Sequence, residues 1–157
     1  MRDLRAYRPC VGALIVNTSG KVWLGRRFGA SAPHNWQFPQ GGTDDEPPET
    51  ALWRELAEEI GLQPSEAIIL DRTEQELFYD FPPEVLARKR FDFVGQRQHW
   101  FVLEVAREQT FRFDLEDPPE FDAWRWATMH QAVDGVIPFK AALYQAVAGR
   151  FRAWWRD

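Results

Sequence analysis

Three glutamates, Glu55, Glu58 and Glu59, stand three and four residues apart in the run WRELAEEIGL. In a helix turning 100° per residue, Glu59 falls about 40° to one side of Glu55 and Glu58 about 60° to the other. The three carboxylates then share one face roughly 100° wide. Left bare, the like-charge pairs at i,i+3 and i,i+4 each disfavour the helix by about 0.2–0.5 kcal/mol. Arg54, four residues before Glu58, offsets part of this. Hard oxygen ligands converging at this spacing suit Mg²⁺ or Mn²⁺, ions that keep waters and bind substrate phosphates. Such ions neutralise a crowded polyanion and activate water, the two requirements for hydrolysing a phosphoanhydride. The same spacing also fits a solvated glutamate-rich helix surface, because glutamate is a good helix former.

The helix that must present these groups is bounded on both sides. Asp44 and Asp45 offer N-caps, Pro47 and Pro48 suit a first turn that needs no N–H donors, and Gly61 stops the helix after Ile60. Leu56, Ile60, Trp53 and Ala57 follow at about 100° to 200° from Glu55 and form the expected apolar face. Upstream, residues 11–17 and 21–26 are apolar, β-branched runs separated by Thr18-Ser19-Gly20, a hairpin pattern. Residues 29–35 read as a loop, 36–38 as a short strand and 39–42 as a turn. Downstream, strands are expected at 67–70, 76–79, 98–105 and 121–127, with a charged loop through Lys89 and Arg90 after the second. Pro138 opens a last helix in which Phe139, Leu143, Val147 and Phe151 recur every four residues. Strands mixed with two long helices, one of them late, predict an α/β sandwich rather than a regular βαβ array.

Composition narrows the function classes. The 157 residues suit one domain, and 45% hydrophobic and 15% aromatic content, with eight Trp, supplies a core and argues against disorder. The single cysteine, Cys10, excludes a disulfide framework. No apolar run approaches the roughly 20 residues of a membrane helix, and the first ten residues lack a signal-like stretch. The expectation is a cytoplasmic protein without membrane association. The net charge of −5 argues against a duplex-DNA binder. Residues 1–40 carry six cations against Asp3, whereas residues 41–76 carry eleven carboxylates against Arg54 and Arg72. A basic segment beside an acidic one fits a site where cations and a carboxylate-bound metal share a polyphosphate. Uneven surface charge without a purpose gives the same count. Composition does not address the oligomeric state.

The segment GGTDDEPPETALWRELAEEIGL resembles the Nudix box, in which a Gly, five residues, Glu and seven residues precede Arg-Glu-(aliphatic)-x-Glu-Glu-x-Gly-(aliphatic). From Glu46 through Leu62 the match is complete, while Gly41 precedes Glu46 by one residue fewer than the family pattern. The resemblance implies a Nudix-fold α/β/α sandwich with a mixed central sheet, the box forming loop–helix–loop, and residues 1–157 forming a single Nudix hydrolase domain. It implies that Glu55, Glu58 and Glu59 ligate divalent cations, that one carboxylate acts as base on the attacking water, and that Arg54 orients the set.

Outside the box, the chain is similar to the bacterial subgroup acting on RNA 5′ ends and dinucleoside polyphosphates. The matching segments are Tyr7-Arg8-Pro9, Arg26-Arg27, WQFPQGG at 36–42, Gly95-Gln96-Arg97-Gln98, PEFD at 119–122 before Trp124-Arg125-Trp126, and Phe139-Lys140. That similarity implies a further metal or base role for Glu120 and phosphate binding by Arg8 and Arg27, with Gly41 and Gly42 at the substrate site. It implies a nucleotide subsite at Ile137, Phe139 and Lys140, with Asn35 as a polar contact. Arginine's planar fork suits phosphate oxygens, and an aromatic ring suits a single-stranded base. Phe139 equally fits the start of the apolar stripe of the last helix.

The implied activity is metal-dependent hydrolysis of nucleotide 5′-polyphosphates. The favoured substrate is 5′-triphosphorylated RNA, trimmed to a monophosphate with release of pyrophosphate. A dinucleoside polyphosphate such as diadenosine tetraphosphate, cleaved to ATP and AMP, is the near alternative. ADP-ribose or an oxidised nucleoside triphosphate, and a non-catalytic nucleotide-binding module, are the further ones. His34, His99 and His130 form no ligand spacing, Cys10 reads as a buried thiol, and Phe121, Trp124 and Trp126 read as core.

Overall fold

The structure is a computed structural model that describes residues 1–88 and 92–157. Its framework is a pair of parallel strands, β1 (Tyr7–Val16) and a distant partner, joined residue for residue from Tyr7↔Gly95 to Val16↔Glu104. β1 continues into β2 (Val22–Arg27), but the expected hairpin closes only at Val16↔Val22. The Asn17 side chain accepts from the Ser19 and Lys21 amides at 2.9 and 3.1 Å and shapes that turn. Beyond that point β2 pairs with residues 36–37 on the same edge and with residues 121–127 along its other edge, while residues 10–12 of β1 pair with a segment further on.

That segment corrects the expected turn at 39–42. After β3 (Trp36–Gln37), residues Gln40–Gly42 form a strand, β4, antiparallel to β1 at Cys10↔Gly42, Val11↔Gly41 and Gly12↔Gln40. Glycine leaves room there: a Cβ at Gly41 would fall on the Glu55 carboxyl and one at Gly42 on the Arg8 guanidinium, and either side chain would have to shift.

Helix α1 (Pro48–Ile60) carries the glutamates. Its N-cap is Pro47 with no side-chain cap, so the expected capping by Asp44 and Asp45 is corrected. Both aspartates instead adopt left-handed backbone, φ 50° and 66°, in a turn closed by Glu46 N–H donating to Thr43 O at 2.9 Å. A loop one residue short turns sharply enough to need positive φ, which aspartate tolerates better than most residues. Gly61 ends the helix in the expected left-handed cap, with Leu62 N–H donating to Leu56 O at 3.2 Å.

The remaining elements are β5 (Ile68–Arg72), β6 (Leu77–Asp80), α2 (Pro83–Arg88), β7 (Gly95–Glu104), β8 (Phe121–Ala127), α3 (Met129–Gly135) and α4 (Ala141–Arg150). β7 is the parallel partner of β1 and begins three residues before the expected start. Lys89 and Arg90, expected in a charged loop, lie outside the described residues. α2 and α3 were not anticipated. α3 is capped by a reciprocal Thr128–Gln131 box and by Asp157, whose carboxylate accepts from Met129 N–H at 2.6 Å. The last helix starts at Ala141 after a 3₁₀ turn over Pro138–Lys140.

The eight strands form one mixed sheet, with β5 and β6 antiparallel to β7 and β8 antiparallel to β2. Alternate side chains feed two cores. Val11, Ala13, Ile15, Trp23, Phe101 and Phe121 pack beneath α1 with Leu52, Leu56 and Ile60. Leu14, Leu24, Phe38, Trp100 and Val102 pack beneath α3 and α4 with Tyr144, Val147 and Phe151. The result is the expected α/β/α sandwich. Trp124 and Trp126 pack against Trp23 and Phe111 as part of the first core. Among the described residues no helix is long and apolar enough to cross a membrane. Leu56 is fully buried at the centre of the α1 contact, so Leu56→Ala should lower the unfolding free energy by about 2–5 kcal/mol in urea titration, with an unchanged m-value.

Candidate functional site

The buried side of α1 is rotated towards the glutamates relative to the expected apolar face. Ala51, Leu52, Leu56, Glu59 and Ile60 are the buried residues, while Trp53 and Ala57 are only partly covered. Glu59 therefore sits inside the packed face, 6% exposed, whereas Glu58 faces outward. One Glu59 oxygen, Oε2, is buried without a hydrogen-bond partner. Burial raises the Glu59 carboxyl well above its ordinary range, reinforced by a hydrogen bond with Glu55 and the charges of Glu55, Glu120 and Glu116.

Arg54 binds the loop to the helix. Its guanidinium donates to Glu46, to Glu55 at 2.9 Å and to the Gly42 carbonyl at 2.9 Å, with Asp44 and Glu58 at 3.4 and 3.5 Å. Burial would lower its pKa, but its hydrogen bonds to Glu46 and Glu55 outweigh that and hold it above the usual value. Despite the short loop, Glu46 thus reaches Arg54, and Gly41 leaves the space that the Glu55 carboxyl fills.

Around this helix lies a polar pocket of about 420 Å³, lined by Arg8, Gln40, Gly41, Gly42, Asp44, Arg54, Glu55, Glu58, Glu59, Gln96, Glu116 and Glu120. Glu120 arrives at the start of β8 and accepts from Gln37 Nε2 at 3.3 Å. Among the described residues, no group of three or more acidic, His or Cys side chains is placed to hold a metal ion on its own. The carboxylates instead line an open pocket with one orphaned oxygen. That arrangement fits a hard divalent cation that completes its shell with waters and substrate oxygens.

A larger cavity of about 650 Å³ abuts the pocket and shares Arg8, Gln40, Gln96 and Glu120 with it. Its other walls are Arg27, Gln37, Tyr79, Phe81, Val85, Arg88, Phe93, Ile137, Phe139 and Lys140. Gln98, fully buried, fixes the boundary: it donates to Gln96 at 2.8 Å and Gln40 at 3.3 Å, and accepts from Trp100 Nε1 at 2.8 Å. Phe139 borders the cavity and lies against Tyr79 at 6.0 Å between ring centroids. Lys140 Nζ lies 5.6 Å from the Tyr79 ring centroid.

The structure brings together every expected site residue but one. Asn35 lines neither space; its side chain donates to Ala30 O at 3.3 Å and its carbonyl accepts from Arg27 N–H at 2.8 Å, tying the 29–35 loop. Cys10 is buried, its thiol pushed up to about 11 chiefly by desolvation, which suits an inert residue. Residues not anticipated include Gln37, Gln40, Arg88, Gln96 and Glu116, with Tyr79, Phe81, Val85 and Phe93 on the cavity walls. Glu116 stands four residues before Glu120 in an acidic, proline-rich stretch, and that proximity was the available signal.

Residues 6–147 match the NUDIX domain. The chain belongs to the Nudix family. Nudix hydrolases generally work with divalent metal ions, in keeping with the donor set of this pocket. The chain is 43% identical to an RNA pyrophosphohydrolase of Caulobacter vibrioides, covering 98% of this chain and 91% of that protein. In fold, it is similar to the Escherichia coli dihydroneopterin triphosphate pyrophosphohydrolase, with TM-score 0.70 at 17% identity over 92% of this chain and 96% of that one. It is also similar to a Caenorhabditis elegans Ap4A hydrolase, with TM-score 0.65 at 16% identity over 93% and 98%.

The buried Glu59 carboxyl, with one oxygen unpartnered, generates a stability prediction. Its folded-state pKa lies above the ordinary 4.5, so ionisation disfavours the native state progressively as pH rises above that value. Without divalent cations, Glu59→Gln should be more stable than the parent protein at pH 8 by about 1–3 kcal/mol, the usual penalty of a buried unsatisfied polar atom. The difference should vanish near pH 4 in parallel denaturation curves.

Proposed function

We propose that this Nudix protein removes pyrophosphate from the 5′-triphosphate end of RNA and leaves a 5′-monophosphate. The observation that carries the reading is the continuity of the two spaces through Arg8, Gln40, Gln96 and Glu120. A polyphosphate in the carboxylate pocket passes directly into a cavity with room for nucleosides. The extended similarity to an RNA pyrophosphohydrolase supports the same substrate.

In this reading Glu55, Glu58, Glu59 and Glu120 hold Mg²⁺ or Mn²⁺. Such cations, when bound, neutralise phosphate charge and lower the pKa of a coordinated water. Arg54 keeps Glu55 and Glu58 turned to the pocket. Arg8 and Arg27, neither of them in an ion pair among the described residues, grip phosphate oxygens. The glycines at 41 and 42 let Glu55 and Arg8 approach without obstruction. Ile137, Phe139 and Lys140 hold a nucleotide near the 5′ end, with Phe139 stacking a base and Lys140 contacting a phosphate. The bond between the α- and β-phosphates breaks, water supplies the new oxygen to the products, and its proton passes to one of the pocket carboxylates. The acidic net charge suits an enzyme that grips a few terminal nucleotides, since tracking a long backbone favours a broader basic stripe. Residues 1–157 act as one unit, in the cytoplasm with the RNA.

A dinucleoside polyphosphate presents the same polyphosphate-on-nucleoside end to the shared boundary and is the second reading. Competition decides between them: purified protein with Mg²⁺ receives equal 5′-triphosphorylated short RNA and diadenosine tetraphosphate. Faster pyrophosphate release from RNA is expected, with none from Glu59→Gln; faster production of ATP and AMP would contradict the proposal. Arg27→Ala should raise KM for RNA about tenfold or more with kcat little changed, the signature of lost phosphate binding, and an unchanged KM would remove Arg27 from the phosphate site.

A further inference from the structure

The boundary between the two spaces is held by a glutamine that lines neither of them. Gln98 is fully buried on β7, where alternation puts Gln96, Gln98 and Trp100 on one face of the sheet. The Trp100 indole is fully buried too, packed edge-on against Phe38 and Tyr144.

An indole N–H is a donor only, and that fact sets the direction of every amide next to it. Trp100 Nε1 donates to Gln98 Oε1 at 2.8 Å, so the Gln98 oxygen faces the indole and its nitrogen faces the boundary. Gln98 Nε2 then donates to Gln96 Oε1 at 2.8 Å and to Gln40 Oε1 at 3.3 Å. Each of these two side chains is gripped by its oxygen, which leaves its NH₂ group for another acceptor. Among the described residues, neither Gln40 Nε2 nor Gln96 Nε2 donates to any protein group. Both residues line the carboxylate pocket and the larger cavity, beside Arg8 at the crossing between them. Ionised phosphate oxygens accept hydrogen bonds and donate none, and bonds to them are charge-assisted.

We propose that Gln98 is a positioning residue which, set by the Trp100 indole, turns the amide nitrogens of Gln40 and Gln96 to the phosphate that crosses the boundary. The inference rests on the reading of that boundary as a polyphosphate path and adds to it the direction of two donors. An acceptor in place of the indole N–H would reverse all three amides and set two carbonyl oxygens against the phosphate.

The test measures kcat and KM with Mg²⁺ for 5′-triphosphorylated RNA and for diadenosine tetraphosphate, in the parent protein and in Gln98→Met, Gln40→Glu and Gln96→Glu. The two glutamate variants keep an oxygen for Gln98 and replace only the outward NH₂ by an acceptor. Each should raise KM about tenfold or more for both substrates, with kcat changed less. Gln98→Met fills the volume but removes the grip. It should raise KM in the same direction, and ¹⁵N relaxation should show the Gln40 and Gln96 side-chain amides passing from rigid to flexible. A lower melting temperature in Gln98→Met with KM and amide relaxation unchanged would overturn the proposal, because a packing role alone produces that result. Unchanged KM in either glutamate variant would also overturn it, and these variants decide the matter where Gln98→Met fails to fold. A parent protein active on diadenosine tetraphosphate alone, with KM for it raised in the variants, would contradict the RNA reading and uphold the role of Gln98. No turnover of either substrate by the parent would overturn both.

Discussion

One guanidinium holds the catalytic face together. Arg54 donates simultaneously to a strand carbonyl at Gly42, to the loop carboxylate of Glu46 and to Glu55 on its own helix. These contacts fasten β4, the loop and α1, three consecutive segments, in one fixed arrangement. Glycine at 41 and 42 allows the approach, because any side chain would displace the Glu55 carboxyl or the Arg8 guanidinium. β4 in turn is hydrogen-bonded to β1, the strand that carries Arg8 and runs through the middle of the sheet. The sheet therefore sets the distance between Arg8 and the acidic helix, a form of preorganisation.

The second constraint is negative charge. The helix rotates far enough into the core to bury Glu59, and the β7–β8 connection adds Glu116 and Glu120. Hydrophobic contacts of Leu52, Leu56 and Ile60 stabilise an orientation that leaves one carboxylate oxygen without a protein partner. Stability is given up locally so that a cation and a polyphosphate find a site already shaped for them. The adjoining cavity is built differently, from aromatic and aliphatic side chains with Arg27 and Lys140 at its walls. The lining changes from carboxylates to rings across Arg8, Gln40, Gln96 and Glu120, which is the change that the proposed substrate makes from phosphate to nucleoside.

Much of this was legible before any coordinates. The spacing of Glu55, Glu58 and Glu59, the helix stop at Gly61 and the strand at 121–127 follow from local periodicity and backbone preference, and they stand. What periodicity could not give was the rotation of α1, because Trp53 and Ala57 are as apolar as the residues that are buried. Tertiary packing against Val11, Ala13 and Phe101 decides which stripe faces inward. Likewise PQGG reads as a turn from composition, and only the long-range pairing with Cys10, Val11 and Gly12 makes Gln40–Gly42 a strand. The Thr128–Gln131 capping box was present in the sequence as a signal for α3. Glu116 carried no signal of its own beyond its closeness to Glu120. Asn35 shows the reverse case, a residue assigned by similarity whose side chain closes a loop instead.

The central claim is that one continuous site places polyphosphate at the acidic helix and nucleoside in the cavity beside Phe139. The most direct measurement is a crystal structure with Mn²⁺ and a non-hydrolysable 5′-triphosphorylated dinucleotide, with the metal located by anomalous scattering. The account predicts Mn²⁺ peaks between Glu55, Glu58, Glu59 and Glu120, phosphates against Arg8, and a base against Phe139. Mn²⁺ away from α1, or a nucleotide bound outside the cavity, would contradict it.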